Sequence, residues 1–306
     1  MAATTTVEAR ATRRAAPTQG RRDVVLLLGP CVLYLLAFSV FPLVYSLYVA
    51  LCDYDQQTGD LTFIGLDNFR DLFSSDEFWQ ATRNTAIFTF GGVALQVVLG
   101  TALALFFDQK LRGAAIVRGI LILPMLLTPI VIGLMWRMLL NPDWGLFTWA
   151  VGKVGVDDPQ WLSDPDTALR VLLLVDTWQW TPFVFIVVYA RLQALPHEVF
   201  EASAVDGASW WKRSRHLTLP MLVPAIVFVA IFRGIDAFRT FDLVYGLTGG
   251  GPGQSTTTLS FEAFQNGFSF FRYGYASAVA YFMVVVAAIG LTVLLRFVHL
   301  RREEPA

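Results

Sequence analysis

Two short runs in this 306-residue chain place polar and charged side chains inside otherwise apolar sequence. In the first, Asp176, Trp178, Gln179 and Trp180 lie well inside a long apolar stretch. A carboxylate and an amide supply hydrogen-bond acceptors and donors, and indoles supply flat apolar faces. That mixture suits a ligand with hydroxyls on its edges and C–H surfaces on its faces, as carbohydrates have. In the second run, Arg233, Asp236, Arg239 and Asp242 recur at every third position with alternating sign. On one helix this spacing brings neighbours within ion-pair reach. The run therefore reads either as a polar lining or as an internal salt-bridge ladder, and Arg239 and Asp242 fit the ladder as well as the lining. Arg137, near the end of another apolar stretch, reads as a snorkelling residue.

These residues need a scaffold in which charge is exceptional. Apolar residues make up 55% of the chain and charged residues 15%, a balance that excludes an ordinary soluble domain. Six stretches are long enough to cross a hydrocarbon core as helices: Val24–Leu51, Asn84–Phe107, Ile116–Leu140, Leu169–Gln193, Leu217–Val244 and Gly274–Phe297. None shows the short alternating segments of a barrel. The fold class is thus all-α integral membrane, with six transmembrane helices. The first apolar run is far longer than a signal-peptide core and reads as a retained span. Because spans two and three are joined by the short segment 108–115, they are expected to form an antiparallel pair.

With both termini inside, most of the 23 Lys and Arg fall on the cytoplasmic face, among them Arg13, Arg14, Arg118, Arg191, Lys212 and Arg213. The positive-inside bias selects that orientation in a cytoplasmic membrane. Residues 1–22 read as a disordered cytoplasmic tail, 23–298 as the membrane domain and 299–306 as a second cytoplasmic tail. Outside the membrane, Asp67 is placed to cap a short helix, and turn chemistry occurs at Asn141-Pro142-Asp143, Asp164-Pro165 and Gly249–Gly253. The glycine run lacks the Lys and Ser/Thr of a nucleotide-phosphate loop, so no ATP site is expected on this chain. His197 and Glu201 have no third partner nearby, which leaves no metal site. The inner basic residues are accounted for by membrane orientation and require no nucleic acid.

The cytoplasmic segment 194–216 is the most organised part outside the membrane. Pro196 suits the first turn of a helix, Glu198 and Glu201 its positive end, and Gly207 its C-terminal cap. A second short helix should start near Ser209, with Leu219-Pro220 opening the fifth span. By residue chemistry alone this is an interfacial elbow, or two helices with a surface free to dock. The run Glu201-Ala202-Ser203, Gly207 and Leu217-Thr218-Leu219-Pro220 resembles the EAA signature of membrane subunits of binding-protein-dependent ABC importers. Ser203 stands where the pattern has Ala, and Leu217 where it has Ile. The runs Ile64–Phe69, Asp176-Thr177-Trp178 with Pro182, and Leu247–Pro252 are similar to the sugar-importer branch that includes the maltose permeases.

The resemblance implies a type I ABC importer permease fold. It implies that Glu201, Ala202, Ser203, Asp206, Gly207, Leu219 and Pro220 couple this chain to an ATPase. It places sugar-lining positions at Asp176, Gln179, Trp180, Phe183, Arg233, Asp236 and Thr240, with Pro182 interrupting the helix beside them. The implied partners are a second, similar permease subunit, a dimeric ATPase that carries ATP and Mg, an extracytoplasmic sugar-binding protein and the lipid bilayer. The chain itself would hold no cofactor and catalyse no reaction. Two alternatives stay open at this point. One is the same architecture importing a polyol or glycerol phosphate. The other is a membrane-embedded enzyme acting on lipid-linked sugar, with Asp176 or Asp236 as base.

Overall fold

The computed structural model describes residues 21–54, 58–109, 113–155 and 160–300. Residues 1–20 and 301–306, which hold most of the two expected cytoplasmic tails, lie outside the described residues. Two units are distinguished, residues 1–48 and 49–306. The first holds most of helix α1 (Leu26–Ala50), 25 residues long and apolar enough to span a bilayer. Helical backbone begins before it, at Arg21, so Arg21 and Arg22 belong to helix rather than to the tail.

The second unit opens with a hairpin, β1 (Cys52–Tyr54) and β2 (Leu61–Phe63), which the all-α reading did not foresee. Three-residue strands are too short to show a period in sequence. A short helix, α2 (Asp67–Ser74), follows. Asp67 is its first residue rather than its cap and pairs with Arg70. The buried Asn68 amide donates to the carbonyls of Ala50 and Cys52, pinning the hairpin.

The membrane-spanning elements are α3 (Asp76–Phe107), the pair α4 (Ala114–Leu126) and α5 (Pro129–Leu139), α7 (Pro165–Gln193), α9 (Trp210–Phe238) and α12 (Tyr273–Leu300). Between α5 and α7 sits the short helix α6 (Leu146–Gly152). Asn141 and Asp164 make the expected turns: the Asn141 side chain accepts from Asp143 and Trp144, and Asp164 caps α7 through the amide of Thr167. Five helices are therefore long and apolar enough to cross a membrane among the described residues, and the number is six when the bent α4–α5 pair is counted as one span.

That break corrects the expectation of a straight third helix: α4 and α5 meet at 100°. Leu127 and Thr128 between them are extended, at φ −86°, ψ 145° and φ −68°, ψ 142°. The residue before a proline is driven out of the helical region, and Pro129 starts the next helix with no amide to leave unpaired. The main packing partner of span two is not span three, because α3 packs chiefly along α7. Gly100 permits that approach: a Cβ there would lie 2.6 Å from the Val184 Cβ. Nor does Pro182 interrupt α7, which stays helical throughout. The hydroxyls of Thr177 and Thr181 bond back to the carbonyls one turn earlier, at 2.7 and 2.6 Å.

The fifth stretch differs at both ends. Helix α9 already starts at Trp210, continuing through a π turn at Ser214–Thr218, so Leu219-Pro220 lies inside it. It ends at Phe238, and the chain resumes as α10 (Asp242–Leu247), which crosses α5 closely at Gly133 and Gly246. Helix α11 (Leu259–Phe264) packs on α12. The Asn84 amide donates to Gln254 and Thr257 carbonyls, and the Thr85 hydroxyl accepts from the Leu259 amide, tying this segment to α3. Glu262 is buried beneath it. Burial raises its carboxyl from 4.5 to about 7 against the Tyr275 hydroxyl, which donates to it at 3.1 Å and favours ionisation, while Glu77 pushes it further up.

Candidate functional site

Arg233 is the largest fully buried side chain among the described residues, 1% exposed. A lone buried guanidinium is strongly unfavourable, so its partners define the site. Its Nη2 donates to Asp176 Oδ2 at 3.2 Å, its Nε donates to Gln96 Oε1 at 2.9 Å, and its Nη1 donates to Asp236. The planar group lies over the Trp180 ring, 4.4 Å from its centroid. Gln96 closes the circuit by donating from Nε2 to Asp176 Oδ2 at 2.6 Å.

Three helices thus meet through polar atoms: Gln96 from α3, Asp176 and Trp180 from α7, and Arg233 and Asp236 from α9. The cluster runs from core to surface. Side chains of Arg233 and Asp176 are 1% and 5% exposed, Asp236 is 32% exposed, and Arg239, which donates to Asp236 at 3.4 Å, is 73% exposed. Phe183 stands edge-on to Trp180, with ring centroids 6.4 Å apart, and continues to Phe232 at 5.2 Å. A carboxylate at a partly open edge beside aromatic rings can accept hydroxyls and receive an apolar ring face.

Asp176, Trp180, Phe183, Arg233 and Asp236 are therefore brought together. Gln179 is not: its amide donates to the carbonyl of Leu127 at the α4–α5 break, at 3.1 Å, and its Oε1 has no partner among the described residues. Trp178 packs against Trp136, away from the cluster. Thr240 lies beyond the end of α9, bonded through its backbone to Ala237 and Thr258. Asp242, at the start of α10, is exposed and lies outside the set of ion pairs among the described residues. Gln96 is missed by sequence reasoning. A lone amide in the apolar run Gly92–Phe107 is the available signal.

Between α7 and α9 lies α8 (His197–Val205). The amide of Ala208 donates to the Ser203 carbonyl and that of Gly207 to the Ala204 carbonyl, with Gly207 at φ +70°. This double bond pattern is a Schellman cap, and it needs a left-handed residue where Gly207 stands. Ser209 caps the next helix by accepting from the Lys212 amide. Helix α8 is anchored through Phe200, which packs on the core formed by Phe185, Leu195 and Leu222. Glu201, Ala202, Asp206 and Gly207 are exposed, as is Val205, and Ser203 is half-buried with its hydroxyl on the Phe200 carbonyl.

Residues 96–303 match the family described as binding-protein-dependent transport system inner membrane component. The chain is 34% identical over 278 residues to the trehalose/maltose transport system permease protein MalF of Thermococcus litoralis, covering 91% of this chain and 94% of that one. It is 30% identical over 282 residues to the trehalose transport system permease protein SugA of Mycobacterium tuberculosis, covering 92% and 88%. In fold it is similar to a chain from the crystal structure of a bacterial ABC transporter involved in import of the acidic polysaccharide alginate. The TM-score is 0.78 at 24% identity, across 93% of this chain and 97% of that chain. The match over two thirds of its length, on a bundle of apolar helices with an exposed capped loop helix, makes this chain a member of the inner-membrane permease family of binding-protein-dependent transport systems.

Proposed function

We propose that this chain is one permease half of an ATP-driven importer of di- or oligosaccharides. It pairs with a second, similar permease, receives sugar from an extracytoplasmic binding protein, and is driven by a dimeric ATPase that holds ATP and Mg. Both termini lie in the cytoplasm. The observation that carries the reading is helix α8: an exposed helix anchored through Phe200 near its middle and closed at its C-terminal end by a left-handed Gly207. Such an element is rigid enough to transmit a displacement and exposed enough to dock. Residues Glu201–Gly207 form its contact with the ATPase, and the helix end carries the push into α9 through Leu219 and Pro220. The sugar class is supported by the relatives named above and by the carboxylate and aromatic groups around Asp176, Trp180, Phe183, Arg233 and Asp236. The resemblance adds Gln179, between Asp176 and Trp180 in the sequence, and Thr240, four residues after Asp236.

The test is co-expression of the chain with its chromosomal neighbours, followed by detergent pull-down and by uptake of labelled trehalose and maltose. An ATPase and a second permease should co-purify, and uptake should require all components. A chain that purifies alone and stable, with uptake unaffected by its deletion, would end the importer reading.

A further inference from the structure

Within the polar cluster, exposure separates two groups of residues. Asp176, Arg233 and Gln96 are buried and bonded mainly to one another. Asp236 and Trp180 are partly open. Gln96 is the neutral member of the buried group, and it uses both ends of its amide: the oxygen accepts from Arg233 Nε at 2.9 Å, and the nitrogen donates to Asp176 Oδ2 at 2.6 Å. The flipped amide would set oxygen against carboxylate and NH2 against guanidinium. The arrangement is therefore a directional cross-link between α3, α7 and α9. It fixes the guanidinium in the plane that places Nη1 on Asp236 and a π face on Trp180.

We infer that Gln96, with Asp176 and Arg233, is a positioning unit for the substrate pocket, holding Asp236 and Trp180 in register for the sugar without touching it. The inference rests on the proposed function, and it assigns the sequence-expected contacts Asp176 and Arg233 to a supporting role. Its physical basis is that buried ionic groups act strongly on geometry when every donor and acceptor is satisfied. A pocket carboxylate held by a rigid guanidinium loses little freedom when sugar binds, whereas a loosened one must be ordered each time.

The experiment uses the complete importer with its binding protein and ATPase, and reads trehalose and maltose uptake together with the yield of assembled complex. Gln96→Glu sets two carboxylates in hydrogen-bond contact beside Arg233, and in an assay at a pH high enough to ionise both, their repulsion disrupts the register. Its KM should rise roughly tenfold or more, with assembled complex at the wild-type yield. Adding Asp176→Asn to that variant exchanges carboxylate and amide across the same contact. The carboxylate introduced on α3 would then accept from Arg233 and from the amide introduced on α7. KM should return to within about threefold of wild type, the scale of a tolerated local change. Gln96→Leu, which removes both bonds at similar volume, should raise KM without rescue by Asp176→Asn. Wild-type KM in Gln96→Leu overturns the inference while leaving the importer reading intact, as does a defect that follows complex yield in every variant. Failure of the wild-type complex to take up either sugar overturns the proposed function and this inference with it.

Discussion

Gly207 is the position at which one atom group tests how helix α8 works. Its φ of +70° is a conformation that L-residues with a Cβ adopt at a cost of about 1–2 kcal/mol. A Cβ built there meets nothing within 4 Å, so an alanine would suffer only the backbone penalty and no clash. Spread over the capped and frayed helix ends, that penalty lowers the capped population by a factor of about 5–30. Asparagine tolerates the left-handed region and should lose less. Proline is fixed near φ −65° and lacks the amide that bonds to Ala204, so the cap cannot form at all. In reconstituted complexes the ratio of sugar transported to ATP hydrolysed should fall in the order Gly, Asn, Ala, Pro, with the proline variant uncoupled. Equal ratios across the series would refute the argument that the helix end transmits force. A loss in alanine as deep as in proline would instead show that the Cβ itself obstructs docking, and the backbone reasoning would be wrong.

Gly100→Ala should destabilise the α3–α7 contact by about 1–3 kcal/mol, since its Cβ would overlap Val184; an unchanged melting temperature in detergent would mean the crossing is looser than it looks. Asp236→Ala should raise the KM for uptake about tenfold or more while leaving assembly intact, and unchanged uptake would remove Asp236 from the pocket. Glu262→Gln addresses pH. The folded carboxyl sits at about 7 against 4.5 for a free one, so the folded state binds the extra proton between these values. Stability therefore falls as pH rises from about 4.5 to about 7, by about 3 kcal/mol at most, and is flat above. The glutamine variant should lose that slope, measured as the difference in melting temperature between pH 5 and 7.5. A slope equal to wild type would assign the pH dependence to other groups.

Local chemistry is legible in this sequence and long-range geometry is not. The caps at Ser209 and Gly207 and the turns at Asn141 and Asp164 follow from residues a few positions apart, and these appear where the residue types place them. The break at Leu127-Thr128 is hidden because apolar composition is the same for straight and bent helices. Pro124 and Pro129, five residues apart, are the signal for it. The packing of α3 on α7 depends on Gly100 meeting Val184, which no single stretch reveals. Gln96 escapes notice because an uncharged amide in a membrane span raises no electrostatic alarm until its neighbours are known.

The charge run on the fifth stretch shows why spacing alone misassigns a network. Arg233, Asp236 and Arg239 keep the expected contacts at three-residue intervals. Asp242 does not, because α9 ends at Phe238 and Arg239 already leaves helical geometry at φ −97°, ψ 16°. The fourth member of the chain is instead Asp176, contributed by α7 at the buried end. A ladder confined to one helix could only stiffen that helix. Drawing its fourth charge from another span turns the same residues into a gradient, from 1% exposure at Arg233 to 73% at Arg239, that ties two spans together. Only the open end of such a gradient can exchange its partners with a ligand, because displacing the buried end would strand an unpaired charge in the bundle. On the proposed function, Asp236, shared between the buried and the exposed arginine, is the residue at which ligand chemistry and helix geometry would meet.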